Sequence, residues 1–176
     1  MGSRGKSLVI VLLLCVITLS LVGCASRTPD NPPDVGPDLP NVHHFERRVF
    51  ELTNIERELH GLHPLIWDYT LWTAARDHSL DMEGNNIFGH TGSDGTTPRQ
   101  RIERAGITWA TGWSENVARG QIRPEDVVAA WMNSPGHRDN ILRVTSTHMG
   151  VGYIERRPGG LAISPTYWTQ KFVRIP

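Results

Sequence analysis

Apolar positions mark out a run of helices and then a run of strands. Phe45, Val49, Leu52, Ile55 and Leu59 recur at steps of 4, 3, 3 and 4, which is one face of an amphipathic helix. Glu46, Arg47, Arg48, Glu56 and Glu58 supply the polar face, and Gly61 followed by Pro64 stops the pattern. Asn54 and Arg57 fall off the apolar face and are read as solvated rather than as partners of a loop. Residues 64–68 form a short extended link, after which Asp68 or Thr70 caps the next helix. Leu71, Ala75, His78 and Met82 repeat at 4, 3 and 4, and Gly84 ends that helix. Residues 87–97 are too rich in small turn-formers to be a strand interior. Thr96 or Thr97 caps a short helix with Pro98 in its first turn, Ile102 and Ala105 facing inward, and Gly106 at its end.

The second half changes period. Residues 107–112 are apolar and β-prone, and Trp113, Glu115 and Val117 alternate so that a strand would place them on one face. Residues 124–133 return to a helix, with Pro124 in the first turn and Glu125 and Asp126 near its positive end. Its buried side is Val127, Val128, Trp131 and Met132. Ser134 caps a further helix that starts at Pro135 and carries His137 at its third position. Residues 149–154 form a strand, R-P-G-G at 157–160 a turn, and 161–173 the return strand, with Pro165 at an irregularity. Helices followed by an antiparallel hairpin predict an α+β domain with helices packed on sheet faces.

The first 23 residues stand apart. Arg4 and Lys6 precede an apolar run of 15 residues, Leu8 to Val22, broken only by Thr18 and Ser20. That is short of the ~20 apolar residues that span a membrane, and it fits the hydrophobic region of a secretory signal. The exit, Leu21-Val22-Gly23-Cys24, resembles the bacterial lipobox, in which cleavage leaves an acylated cysteine. The competing reading is an ordinary signal or an uncleaved anchor helix. Lipidation of Cys24 would leave no thiol in the mature chain, because Cys15 lies in the signal. Residues 24–40 hold five prolines (Pro29, Pro32, Pro33, Pro37 and Pro40) and form a tether. One domain, 41–176, follows. Without the signal, Lys+Arg fall from 18 to 16 against 18 acids, a net charge of about −2. No basic stripe is present, so nucleic acid is not an expected partner.

The candidate chemistry is His90, Glu115 and His137, drawn from three separated segments. His90 lies between glycines in F-G-H-T-G, where backbone presses close to a neighbour or ligand; the alternative is a solvated loop imidazole. Glu115 on an apolar face needs a partner, because burying it alone costs several kcal/mol. That partner is either a backbone amide or a site. His137 near free helix amides leans toward neutral, which suits metal ligation, or simply packs there. His78, on its apolar stripe, is read as a core histidine with both nitrogens bonded, against a ligand role.

The ordered set L-T-N-I-E-R, P-L-I-W-D, A-A-R-D-H-S-L-D-M, F-G-H-T, S-E-N-V-A-R-G, W-M-N-S-P-G-H-R-D-N-I-L, M-G-V-G-Y and Y-W-T-Q-K-F resembles the CAP superfamily of cysteine-rich secretory, antigen and pathogenesis-related proteins. The likeness covers roughly residues 43–173 and is strongest to the bacterial secreted branch. It implies a three-layer α-β-α sandwich with an antiparallel central sheet. It also implies a cleft of two His and two acidic residues that binds zinc or another divalent cation. His90 and Glu115 match that motif, whereas Ser134 stands where the second Glu belongs and Tyr167 where the second His belongs. Both are carried as cleft residues, with His90 and His137 as metal ligands and Glu115 as catalytic base. Together with the anchor expected at Cys24, the resemblance implies an envelope-anchored, extracytoplasmic binding module for a lipid, glycan or cell-wall component. The alternatives are a metal-dependent hydrolase using Glu115 as general base and a structural envelope protein.

Overall fold

The computed structural model describes residues 39–176; the signal 1–23, the lipidation residue Cys24 and the tether as far as residue 38 lie outside the described residues. Five helices and four strands follow in the order α1 (His44–Leu59), β1 (Ile66–Trp67), α2 (Tyr69–Gly84), α3 (Pro98–Arg104), β2 (Gly112–Arg119), α4 (Pro124–Met132), α5 (Pro135–Ile141), β3 (His148–Glu155) and β4 (Thr166–Arg174). The sheet order is β1-β3-β4-β2. β1 runs parallel to β3, and β4 is antiparallel to both β3 and β2, so the sheet is mixed rather than purely antiparallel. The parallel pair exists because α2 carries the chain away from β1 before the long return to β3.

Strand alternation builds the layers. Met149, Val151 and Tyr153 of β3, with Trp168 and Phe172 of β4, join Val49 and Phe50 of α1 and Val127, Val128 and Trp131 of α4 in the main core. The residues between them face α2. Tyr167 meets Met82, Thr169 Oγ1 accepts from Ser79 Oγ at 2.9 Å, and Val173 meets Leu71. Gly150 and Gly152 also face α2, and a Cβ there would lie 2.2 Å and 2.3 Å from the α2 backbone at Trp72 and Ala75. Their missing side chains let the helix lie directly on β3.

α2 begins as the sequence predicts, with Asp68 Oδ1 accepting from Leu71 N at 2.8 Å, and it ends at Gly84. Thr97 caps α3 in a reciprocal box with Gln100. Other expectations need correction. The buried face of α1 is Glu46, Val49, Phe50, Thr53 and Arg57, while Ile55 and Leu59 are 45% and 74% exposed. The reason is that two buried charges find several hydrogen-bond partners each. Glu46 accepts from His43 N, Trp72 Nε1, Arg76 Nη1 and Tyr153 N. Arg57 donates to the carbonyls of His63, Ile141 and Arg143. Asn54 brackets Leu65 with two bonds, so neither it nor Arg57 is merely solvated. Arg57→Leu, which strands those carbonyls, is expected to cost about 2 kcal/mol in urea denaturation.

Ala105 is exposed, residues 107–111 are not strand, and the return strand starts only at Thr166, beyond Pro165. Ser134 occupies the position before α5 but makes no side-chain cap bond. α5 lies along the outer edge of β2, where Asn140 Nδ2 donates to the Glu115 carbonyl and to Asn116 Oδ1.

Candidate functional site

Register places Glu115 of β2 directly beside Lys171 of β4. Both side chains turn to the α2 face, with exposures of 1% and 0%, and Lys171 Nζ donates to Glu115 Oε2 at 2.5 Å. Arg101 Nη2 reaches both carboxylate oxygens, at 3.2 and 3.0 Å. The same guanidinium donates to the carbonyls of Thr96 and His90, which fastens the 90 loop to α3. His90 Nδ1 lies 2.9 Å from Glu115 Oε1. A carboxylate only accepts, so Nδ1 carries the proton and the other ring nitrogen is turned away from the pair. His90 is the accessible member, its side chain 52% exposed.

His78 stands behind this cluster, fully buried, with Nε2 at 2.9 Å from the Gly89 carbonyl and 3.9 Å from Glu115 Oε1. Among the described residues Nδ1 has no partner, so this core histidine is bonded there through one nitrogen rather than two. His137, half-buried on α5, is close enough to His90 for the two rings to influence one another's charge. The backbone carbonyl of His137 accepts from Asn116 Nδ2 at 3.1 Å. The three expected residues are thus held on neighbouring segments.

Electrostatics follow from this geometry. Burial pushes the Glu115 carboxyl up, but the His90 hydrogen bond and the charges of Lys171, His78 and Arg101 outweigh it and hold the group down at about 2. Burial pulls Lys171 down to about 8, with Glu115 opposing and Arg101 assisting. The asymmetry is physical: the carboxylate has three donors around it, whereas the ammonium has one carboxylate and a repelling guanidinium. At neutral pH both remain ionised. Burial lowers His78 to about 4, so that ring is neutral. Burial and then the neighbouring His90 lower His137, a different cause from the helix amides that the sequence suggested.

Two expected roles do not fit. A carboxylate held at about 2, with its oxygens taken by three donors, is a poor general base near neutrality. Glu115 is equally committed as a metal ligand, and two of its donors are cations. That leaves the two imidazoles, and among the described residues no group of three His, Cys, Asp or Glu side chains is arranged to hold a metal. A zinc site draws on three or four protein ligands, so this donor set does not fit one. Ser134 is half-buried at the start of α5. Tyr167 is fully buried with Met82, Val117 and Ala162, its hydroxyl without a partner among the described residues.

Lys171, Arg101 and His78 are missing from the sequence-based site. One signal for Lys171 was available: a lysine inside an apolar strand, on the parity that faces a helix, needs a buried counter-charge.

Comparison with known proteins gives consistent matches. The model of the cysteine-rich secretory protein family, CAP, matches residues 50–172. The uncharacterised protein YkwD of Bacillus subtilis is 45% identical over 76% of this chain and 48% of its own length. The uncharacterised membrane protein YlbC of the same organism is 33% identical over 73% of this chain and 34% of its own. The chain therefore spans half or less of the length of these relatives. Among solved structures, an extracellular SCP-domain protein of Bacillus anthracis superposes with a TM-score of 0.66 at 31% identity, covering 80% of this chain and 45% of that one. An outer surface protein of Borrelia burgdorferi superposes at 0.68 with 23% identity, over 80% of this chain and 99% of that one, which is a likeness of fold.

Proposed function

The chain belongs to the CAP family, and on that footing we propose that it is an extracytoplasmic binding module, held at the cell envelope by lipid on Cys24, that engages an envelope lipid, glycan or cell-wall component through His90 and His137. One observation carries the reading: Glu115 is locked by Lys171, Arg101 and His90, which fixes the exposed imidazole as a directional hydrogen-bonding head. A preorganised hydrogen-bonding head of this kind suits recognition of a polar ligand group. The name of the Bacillus anthracis neighbour places that protein outside the cell, and YlbC is named a membrane protein. Among the described residues no helix is long and apolar enough to cross a membrane.

The test separates anchor from ligand. Cys24→Ala in the full chain should shift the protein from the membrane fraction to the soluble extracytoplasmic fraction. That soluble form should co-sediment with isolated cell envelopes, and adding His90→Ala should weaken retention about tenfold, since a lost hydrogen-bonding partner leaves polar ligand groups unpaired. Equal retention of both forms, or none by either, overturns the reading.

A further inference from the structure

One end of the domain carries an exposed apolar patch. Three loops adjoin there: residues 86–88 after α2, residues 119–123 at the end of β2, and residues 156–165 between β3 and β4. Asn86 Oδ1 accepts from Ile163 N at 3.3 Å, Ala162 and Ile87 pack in one cluster, and the Arg119 guanidinium lies 4.6 Å from the centre of the Phe88 ring. The Thr166 hydroxyl, at the start of β4, donates to the Gln121 carbonyl. Phe88, Ile122, Leu161 and Ile163 stand on these loops, between 46% and 76% exposed. Single exposed apolar residues are ordinary, but four on adjoining loops mark a surface that meets an apolar partner.

Two features point to the partner. The first is charge. The three loops carry Arg119, Arg123, Arg156 and Arg157 and no Asp or Glu. Nearby acids are engaged: Glu83 is buried against Arg157, Glu125 pairs with Arg48 and Arg123, and Glu155 accepts from the Tyr153 hydroxyl. Asp126, exposed in the first turn of α4, opposes the arginines. The second feature is the point of entry. The His43 ring lies 5.1 Å from that of Tyr153, two residues before β3 ends at Glu155. The chain from Cys24 thus enters the domain at this same end, and the 14 residues between Cys24 and Leu39 reach at most about 50 Å.

We propose that this end is a membrane-docking surface, with Phe88, Ile122, Leu161 and Ile163 entering the interface of an anionic bilayer and the arginines meeting lipid phosphates. The proposal rests on the anchor at Cys24. Alone the contact is weak, because stable attachment takes more than one signal; its effect is to orient an anchored domain. Glu115 lies four residues from Arg119 along β2, about 13 Å, so the His90 cluster sits back from the contact.

The test mixes the soluble Cys24→Ala chain with vesicles of equimolar phosphatidylglycerol and phosphatidylcholine and reads partition by flotation at high lipid concentration. The chain should partition, and Leu161→Ser/Ile163→Ser should weaken partition roughly tenfold or more. Arg156→Gln should weaken it about fivefold on these vesicles and leave partition on pure phosphatidylcholine unchanged. His90→Ala should have no effect. Leu161 and Ile163 are exposed, so the melting curve of the double variant should match the parent; where it does not, Arg156→Gln decides. No partition, or partition indifferent to both variants, overturns the proposal. A parent dimer that the double variant dissolves, without partition, assigns the patch to a second copy and likewise overturns it. The two readings fail separately: Cys24→Ala that stays in the membrane fraction removes the anchor, whereas a chain that turns soluble yet ignores vesicles removes only the docking surface.

Discussion

Glu115→Leu is expected to remove about 3–5 kcal/mol of folding stability, because it leaves the Lys171 ammonium buried without its counter-charge. Lys171 is 0% exposed and has Glu115 as its hydrogen-bonding partner, so no rotamer brings it to water without opening the α2 face. Lys171→Met should cost less, since Glu115 keeps Arg101 and His90. The double variant Glu115→Leu/Lys171→Met should recover most of the loss, as apolar replacements of buried pairs do. Urea denaturation of the four proteins checks the set. A single-variant cost below about 1 kcal/mol would mean that the pair is wetter than its burial implies.

The same carboxylate sets a pH window. It titrates at about 2 in the fold against 4.5 in an unstructured chain, so the unfolded chain takes up the proton first on acidification. The stabilisation is whole above about pH 4.5 and drains away toward pH 2. Stability measured across that window should fall steeply in the parent and more gently in Glu115→Leu.

Gly152→Ala is the second large effect, about 3 kcal/mol or more. The added Cβ would lie 2.3 Å from the Ala75 carbonyl carbon and the Arg76 nitrogen. These are backbone atoms of a helix, so relief requires α2 to lift from β3 rather than one side chain to turn. Gly150→Ala meets the Trp72 nitrogen at 2.2 Å and should behave alike. Gly136 is the control: nothing lies within 4 Å, and Ala in that helix should be neutral or stabilising by up to about 1 kcal/mol. Because α2 carries His78, lifting it should also loosen the cluster around Glu115. Thermal melts and His90 ring NMR shifts together read both effects.

The parts of the fold legible in the sequence were those set by local chemistry. The Asp68 and Thr97 caps, the Gly84 stop and the Trp131 face of α4 each follow from a residue and its near neighbours. α1 departs from its apolar stripe because two of its charges, Glu46 and Arg57, are buried. Glu46 and Arg57 are buried by partners up to 107 and 86 residues away, and no periodicity shows that. The site divides the same way. His90 and Glu115 stood out as polar residues in unusual surroundings. Lys171 is paired to Glu115 only through the β2–β4 register, which its place in the β4 sequence does not reveal. Arg101 looks like one more solvated charge of a short helix until α3 is docked.

The way the sheet terminates has a consequence for strand-to-strand association between copies. On one side β1 offers two residues, too few to template another strand. On the other, α5 covers β2 and the Asn140 amide occupies the Glu115 carbonyl that an incoming strand would use. Among the described residues, the sheet is therefore blunted against pairing with a further strand where β1 and α5 flank it.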